Sequence, residues 1–189
     1  GTAATLEIAR IMQKMHQQTP FKRSIIFANF TAEETGLIGS AQFASGDLIP
    51  TKNMIALLNI DGMNVLDSTD YILQYGKDLS TMEHYLAKAA NAQGRQVKLD
   101  PRAQNGLFFR SDHFSLAKQG VPSLLFMSLG DTDPDYITHK YHKEADDYSA
   151  DWSLGGVKQD VELIVDIASQ LANNGDWPKW TSESDFKAK

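Results

Sequence analysis

Cysteine is absent from this 189-residue sequence, which excludes disulfide bonds, thiolate metal sites and cysteine nucleophiles. Any bound metal ion must therefore be held by histidine, aspartate or glutamate. Long apolar runs are also missing, because none approaches the roughly 20 residues that a membrane-spanning helix needs. Positive charge is in deficit: 18 Lys and Arg face 24 Asp and Glu, giving a formal charge of −6. This balance argues against nucleic acid or an anionic membrane surface as the main partner.

Hydrophobic residues make up 42% of the chain, which is enough for a folded core. Their spacing along the sequence predicts strands that alternate with helices. Helices are predicted over Thr2–Gln17, from Thr31 onward, and over Thr81–Ala92, Ser111–Gln119 and Leu154–Ala172. Strands are predicted over Arg23–Phe30, Met54–Ile60, Tyr71–Tyr75 and Ser123–Met127, the first of them buried on both faces. The alternation predicts an α/β fold with helices on both sides of a mostly parallel sheet.

Acidic residues follow three of the predicted strands, at the sheet edge where ligands of α/β proteins collect. Glu33-Glu34 follow the first strand and Asp61 the second. The loop 128–151, after the last strand, carries His139 and His142 among Asp131, Asp133, Asp135, Glu144, Asp146 and Asp147. Carboxylates and imidazoles that converge there suit zinc or a similar divalent cation. Adjacent glutamates at a helix start point about 100° apart, so one can bind metal while the other acts as a general base.

Each of these features also has a purely structural interpretation. Thr31-x-x-Glu34 fits a capping box at a helix start, and Asp61-Gly62 fits a turn after a strand. A histidine in an acidic loop is commonly solvated. Ser111-Asp112-His113 does not form a hydrolytic triad, because three consecutive residues cannot adopt the required geometry and no G-x-S-x-G motif is present.

Taken together and in order, the motifs resemble the co-catalytic zinc aminopeptidases, the bacterial leucyl-aminopeptidase and glutamate-carboxypeptidase-like metallopeptidases. The resemblance rests on Phe30-Thr31-Ala32-Glu33-Glu34-Thr35-Gly36-Leu37-x-Gly39-Ser40, Asn59-Ile60-Asp61, Arg110-Ser111-Asp112-His113, Gly120-Val121-Pro122 and Tyr141-His142. It implies a three-layer α/β/α fold with a mostly parallel mixed sheet. Trp177-Pro178-Lys179-Trp180 and Asp185-Phe186-Lys187 resemble an exported bacterial branch of the family, which implies a periplasmic or secreted protein.

The resemblance also assigns roles to individual residues. Glu33 corresponds to the general base that activates a metal-bound water for hydrolysis of an N-terminal peptide bond. Glu34 and His142 correspond to ligands of one zinc ion, and Asp61 to a ligand of the other. Asp112 and His113 are expected to support the site or contact the peptide substrate.

The family has a further histidine and a metal-bridging aspartate upstream of the first helix, and this sequence contains neither. Residues 1–189 are therefore expected to be part of a catalytic domain whose N-terminal strands lie elsewhere. The complete enzyme would hold two zinc ions, whereas partial or no occupancy and no activity are expected of the isolated chain. The missing strands would also leave a sheet edge open to oligomerisation or to pairing with another chain.

Two other functions stay open at this stage. One is a glutaminyl-cyclase-like acyltransferase, which shares the fold and uses one zinc ion. The other is a catalytically silent fragment, or a binding module, of the same fold.

Overall fold

A computed structural model describes residues 1–128 and 134–186. Within these residues, six α-helices occupy Thr2–Gln18 (α1), Ile38–Ser45 (α2), Glu83–Ala92 (α3), His113–Ala117 (α4), Pro134–His139 (α5) and Gly155–Asn173 (α6). The same ranges contain four strands, Leu57–Asn59 (β1), Tyr71–Tyr75 (β2), Gln96–Leu99 (β3) and Ser123–Met127 (β4). None of the helices in the described part of the chain is both long enough and apolar enough to cross a membrane.

The four strands form one mixed sheet in the order β1-β4-β2-β3. β1 runs parallel to β4, with Leu58 opposite Leu124, and β2 runs parallel to β3. β2 and β4 are antiparallel, with Gln74 opposite Phe126. The mostly parallel sheet predicted from the alternation of strands and helices is thus confirmed.

Apolar side chains of β4 point alternately into two cores, one on each face of the sheet. Each core separates the sheet from a layer of helices. Leu124 and Phe126 pack beneath α1, α3 and α6, while Leu125 faces a second cluster around Phe108 on the other side. α2 and α4 pack together over the second face, where Leu116 and Ala44 form a third small cluster. The sheet therefore lies between two helical layers, as the resemblance implied.

A buried ion pair joins the sheet to α6. Nη1 of Arg95 lies 2.8 Å from Oδ1 of Asp160, and both side chains are at most 5% exposed. Asp160 also accepts a 2.5 Å hydrogen bond from the Ser128 hydroxyl, at the end of β4. The guanidinium of Arg95 donates further to the carbonyl of Tyr71. Because every charge in this network is paired, the end of β4 is fixed to α6 and to the start of β2.

The C-terminal segment folds back over the second face of the sheet. The indole N–H of Trp180 donates to the Gly120 carbonyl at 3.1 Å. The ring of Phe186 packs against Phe108 and Phe114, with centroids 6.0 and 5.9 Å apart. The segment therefore covers the helical turns on either side of Asp112 and His113.

The prediction of a doubly buried strand over Arg23–Phe30 is wrong. Residues 24–30 form neither helix nor strand and pair with no strand of the described chain, and Ile26 and Phe27 are 47% and 40% exposed. The reason is that none of residues 1–128 and 134–186 pairs with this stretch on the side that faces β1. A cleft of about 810 Å³ separates the two. Below, residues 24–30 are called the edge segment and this space the edge cleft.

Candidate active site

The two adjacent glutamates lie in a turn and do not start a helix. α2 begins only at Ile38 and has no side-chain cap, so both the predicted helix opening at Thr31 and the capping-box interpretation are wrong. Ala32 and Leu37, on either side of the glutamates, have φ angles of 57° and 60°, a conformation that is uncommon outside glycine. Backbone strain of this kind collects at functional sites. Here the turn is closed by backbone hydrogen bonds from Ile38 to the Ala32 carbonyl and from Leu37 to the Glu33 carbonyl.

Gly39 allows this turn to pack tightly. Its N–H donates to the Thr31 carbonyl at 3.0 Å. A Cβ atom at this position would lie 2.6 Å from that same oxygen, which is closer than any side chain could approach. Glycine is therefore required where α2 meets the start of the glutamate turn.

Glu34 contacts His142, although 108 residues of sequence separate them. Nε2 of His142 lies 2.9 Å from Oε1 of Glu34, and both side chains are more than half exposed. His142 has a left-handed backbone, with φ of 56°, and its ring stacks on Tyr141 at 4.0 Å. Of the histidines in the loop after β4, the structure brings His142 to the glutamates, whereas His139 lies exposed at the end of α5.

Three more carboxylates gather at the mouth of the edge cleft: Glu33, Asp61 and Asp112 all line it. Burial raises the pKa of Glu33, and the charges of Asp61, Glu34 and Asp112 raise it further. The pKa of Asp112 is also raised, chiefly by burial and then by Asp61, while the Ser40 hydroxyl opposes this shift. The negative charges of these carboxylates repel one another, so a cation or a proton placed among them would be stabilised.

Two buried hydrogen bonds hold the segments that carry these acids in register. The Asn59 amide donates to the Ser111 hydroxyl at 2.8 Å, which ties the strand before Asp61 to the turn before Asp112. The Ser40 hydroxyl donates to the Ser115 hydroxyl at 3.0 Å and joins α2 to α4. Sequence reasoning gave these residues no role, although Asn59, Ser111 and Ser40 lie within motifs that carry the family resemblance.

Tyr141 is a further residue that sequence reasoning left without a role. Burial raises the pKa of its hydroxyl, and the nearby Asp61, Glu34 and Glu33 raise it further, whereas Arg110 opposes them. The Tyr141 hydroxyl therefore lies within electrostatic range of the glutamate pair and of Asp61. The signal that could have found it is its position directly before His142.

His113 points away from the cleft and is fully buried. Its ring meets Phe108 edge-on at 4.7 Å, and neither ring nitrogen has a hydrogen-bond partner of good geometry. Burial lowers the pKa of His113 to about 4, and the nearby Phe108 backbone opposes this only in part. This position favours support of the neighbouring Asp112 over direct contact with a substrate.

We expect the free energy of unfolding to fall by about 3 kcal/mol through His113 alone as the pH drops from 7 to 4. The unfolded histidine takes up a proton near pH 6.5, whereas the folded one stays neutral until about pH 4, so acid favours unfolding within this window. Urea titrations at pH 7, 5.5 and 4 would measure the effect. His113→Phe should remove this part of the pH dependence, and the exposed-site control His84→Phe should retain it. An unchanged pH dependence in His113→Phe would contradict the assignment.

The donors fit a divalent cation in type but are too few. Within residues 1–128 and 134–186, no three His, Asp or Glu side chains come together as a metal-binding group. Glu34 and His142 form a pair, and Asp61 lies apart from them as the candidate ligand of a second ion. Asp131 and Asp133, two other acids of the predicted loop, lie outside the described residues.

Comparison with known proteins points to one family. A sequence model described as "Peptidase family M28" matches residues 1–165. The mouse (Mus musculus) protein named Aminopeptidase NAALADL1 is 41% identical over 64 residues, which are 32% of this chain and 9% of the mouse protein. The crystal structure of the Legionella pneumophila LapA aminopeptidase shares the fold, with a TM-score of 0.69 at 24% identity. That match covers 92% of this chain and 46% of the Legionella chain. The chain thus spans less than half the length of either relative.

Proposed function

This chain belongs to peptidase family M28, and from that premise we propose that it contributes the greater part of the active site of a zinc-dependent aminopeptidase. The reaction is hydrolysis of the N-terminal peptide bond of a peptide substrate. The observation that carries the proposal is the contact between Glu34 and His142 beside Glu33, since a carboxylate–imidazole pair and a second, free carboxylate are what such a reaction needs.

Glu34 and His142 are proposed to hold one cation. Their donor atoms lie 2.9 Å apart. Two ligands of a tetrahedral zinc ion, each about 2.0–2.1 Å from the metal, are about 3.3 Å apart. The pair is therefore already close to the spacing that a shared ion would impose. Asp61 is proposed as a ligand of a second ion, and the remaining ligands are proposed to come from a histidine and an aspartate N-terminal to Gly1.

Glu33 is proposed as the general base. A divalent cation in this site would supply Lewis-acid polarisation of the scissile carbonyl and make water easier to deprotonate. The Glu33 carboxylate takes the proton from the attacking water and passes it to the leaving amine. Its raised pKa, caused first by burial and then by Asp61, Glu34 and Asp112, makes it a better proton acceptor than a free glutamate.

Asp112 is proposed to bind the free amine of the substrate. Oδ1 of Asp112 is buried and accepts no hydrogen bond of good geometry within residues 1–128 and 134–186, although the Ser40 hydroxyl lies close enough to lower the pKa of the carboxyl. The residue lines the same cleft as Glu33 and Asp61. A buried acceptor without a donor is costly, so a substrate ammonium group would be stabilised there. An aminopeptidase must recognise such a group.

The substrate class can be tested on the full-length protein that contains this chain. We expect it to release nitroaniline from aminoacyl-nitroanilides, to stop when a chelator removes the metal, and to leave N-terminal glutaminyl peptides uncyclised. Acetylated aminoacyl-nitroanilides are the matched control, and should react at least 100-fold more slowly because they lack the ammonium group. Cyclisation of glutaminyl peptides without hydrolysis would instead support the acyltransferase. A folded, metal-loaded protein that catalyses neither reaction would support a binding module.

A further inference from the structure

His142 lies on an exposed and strained turn. Its side chain is 51% exposed, and its backbone is left-handed, with φ of 56°. The ring contacts Oε1 of Glu34 at 2.9 Å and stacks on the ring of Tyr141 at 4.0 Å. A residue on such a turn can bind a ligand tightly only if the surrounding chain keeps the turn in one conformation.

A side-chain hydrogen bond closes the loop that carries this turn. The hydroxyl of Tyr136, on α5, donates to Oδ2 of Asp146 at 2.9 Å. The two residues are ten positions apart, and His142 lies between them in the sequence. The bond therefore joins the two ends of the loop. Residues 136–146 are called the His142 loop below.

Backbone hydrogen bonds form a tight turn at each end of the His142 loop. At the first end, the carbonyl of Tyr136 accepts from the N–H groups of Lys140 and Tyr141, both at 2.8 Å. At the second end, the N–H of Asp146 donates to the Lys143 carbonyl at 3.0 Å. The side-chain bond fixes these two turns relative to each other, and the histidine lies in the short connection between them.

Ring packing extends the support from the loop end to the histidine. The rings of Tyr136 and Tyr141 lie 6.2 Å apart, within the range of favourable aromatic pairs. The Tyr141 ring in turn stacks on His142. A continuous series of contacts thus runs from the Asp146 carboxylate, through both tyrosines, to His142 and its partner Glu34.

Tyr136 remains a hydrogen-bond donor under physiological conditions. Burial raises the pKa of its hydroxyl to about 12, and the hydrogen bond to Asp146 acts in the same direction. Hydrogen bonds from a hydroxyl to a carboxylate are roughly twice as strong as those between neutral groups. The charge of Asp61 also raises this pKa, so Tyr136 lies within electrostatic range of the other proposed metal ligand.

We propose that Tyr136 and Asp146 are positioning residues of the metal site, because their hydrogen bond holds His142 where it can share a cation with Glu34. This role rests on the proposed function, in which His142 is a metal ligand. Without the bond, His142 is still present but must be ordered each time a cation binds. The entropy lost in ordering it lowers the affinity for the cation. Chemistry at the loaded site should change little, since both residues act through His142.

Zinc affinity of the full-length protein, measured by competition with a chelator, tests this role. Tyr136→Phe deletes only the hydroxyl and should weaken zinc binding about tenfold, because loss of a group that orients a ligand costs roughly 10–100-fold. Asp146→Ala should have the same effect. The double variant should lose no more than either single variant, since each removes the same bond. Asp146→Asn keeps an acceptor oxygen and should restore most of the affinity.

Two exposed residues beyond the His142 loop provide matched controls. Tyr148 is 74% exposed, and Asp151 is exposed as well. Tyr148→Phe and Asp151→Ala remove the same chemical groups from positions that do not close the loop. Both should keep the zinc affinity of the original protein.

A measurement on the metal-free protein is independent of both zinc and activity. The stacked Tyr141 ring shifts the NMR signals of the His142 ring protons away from their values in free histidine. In metal-free full-length protein with labelled histidine, Tyr136→Phe should move these signals at least halfway towards the free values. Tyr148→Phe should leave them in place.

The outcomes separate this role from the proposed function. If Tyr136→Phe keeps the original zinc affinity while His142→Ala loses it, the positioning role is overturned and the metal site stands. If His142→Ala itself keeps zinc, the proposed function fails and the positioning role fails with it. A lower turnover number of Tyr136→Phe at saturating zinc, with unchanged affinity, would mean that the hydroxyl contacts the substrate, and would also overturn the role.

Discussion

Replacing Glu33 by glutamine is expected to lower the turnover number of the full-length protein about 1000-fold while leaving its metal content unchanged. Glutamine keeps the size of the side chain and its contacts in the turn but cannot take a proton from water. Proton transfer by a positioned carboxylate is the step that is lost. Glu34 and His142, the pair proposed to bind the cation, keep their mutual contact in this variant and should retain the metal.

The measurement combines steady-state hydrolysis of an aminoacyl-nitroanilide with elemental analysis of the same protein sample. Glu162→Gln is the matched control, because Glu162 is an exposed glutamate on α6, with a side chain 58% exposed and paired only loosely with Lys158 at 3.9 Å. It should retain full turnover. If Glu33→Gln also keeps turnover within a few-fold of the original protein, Glu33 is not the base.

Replacing His142 by alanine should weaken metal binding by more than 100-fold. Loss of a residue that only supports a ligand typically costs 10–100-fold in metal affinity, so loss of a direct ligand should cost more. Glu34 would remain, but its partner at 2.9 Å would be gone. Zinc content after dialysis against a weak chelator measures the effect, and titration calorimetry gives the affinity.

His139→Ala is the matched control for this experiment. His139 lies in the same acidic region after β4 but is exposed at the end of α5, and no contact with the glutamates is seen there. The control should retain the zinc content of the original protein. Equal zinc loss in both variants would mean that the whole loop had been disturbed, and full retention in His142→Ala would remove His142 from the ligand set.

Strands with strong apolar signals could be predicted from the sequence to the residue. β2 and β4 begin and end where the pattern predicted, at Tyr71–Tyr75 and Ser123–Met127. Both lie inside the sheet, where side chains on both faces are buried and most residues are apolar. β3, Gln96–Leu99, was missed because it is an edge strand whose side chains are mostly exposed, which leaves little hydrophobic pattern to read.

The errors near the glutamates have a different physical cause. A helix starting at Thr31 matched a common capping pattern, but the backbone adopts left-handed angles at Ala32 and Leu37 and delays the helix to Ile38. Local propensity cannot reveal such strain, because tertiary packing imposes it. The strand predicted at Arg23–Phe30 failed for a related reason, since strand pairing depends on a neighbour and no described residue pairs with residues 24–30.

The position of the site could be predicted from topology, but its contacts could not. Asp61 follows β1, as expected for a ligand site at a strand end, and Glu33 lines the same cleft even though the segment before it forms no strand. Asp112, which also lines the cleft, precedes α4 and was not predicted from a strand end. The contact of Glu34 with His142 spans most of the chain, and no periodicity encodes it. Only the family resemblance predicted this contact. Neither the resemblance nor the hydrophobic pattern predicted the buried hydrogen bond between Asn59 and Ser111.

The position of the C-terminal segment affects how the chain folds during translation. Phe186 completes the aromatic cluster with Phe108 and Phe114, and Trp180 closes it onto Gly120. During translation, Trp180 and Phe186 leave the ribosome long after the turn that carries Asp112. That turn therefore stays partly exposed to solvent until the C-terminal segment has been synthesised. A ribosome that stalls before Phe186 would therefore display exposed aromatic surface next to Asp112 and the edge cleft, which is the kind of surface that chaperones and proteases recognise.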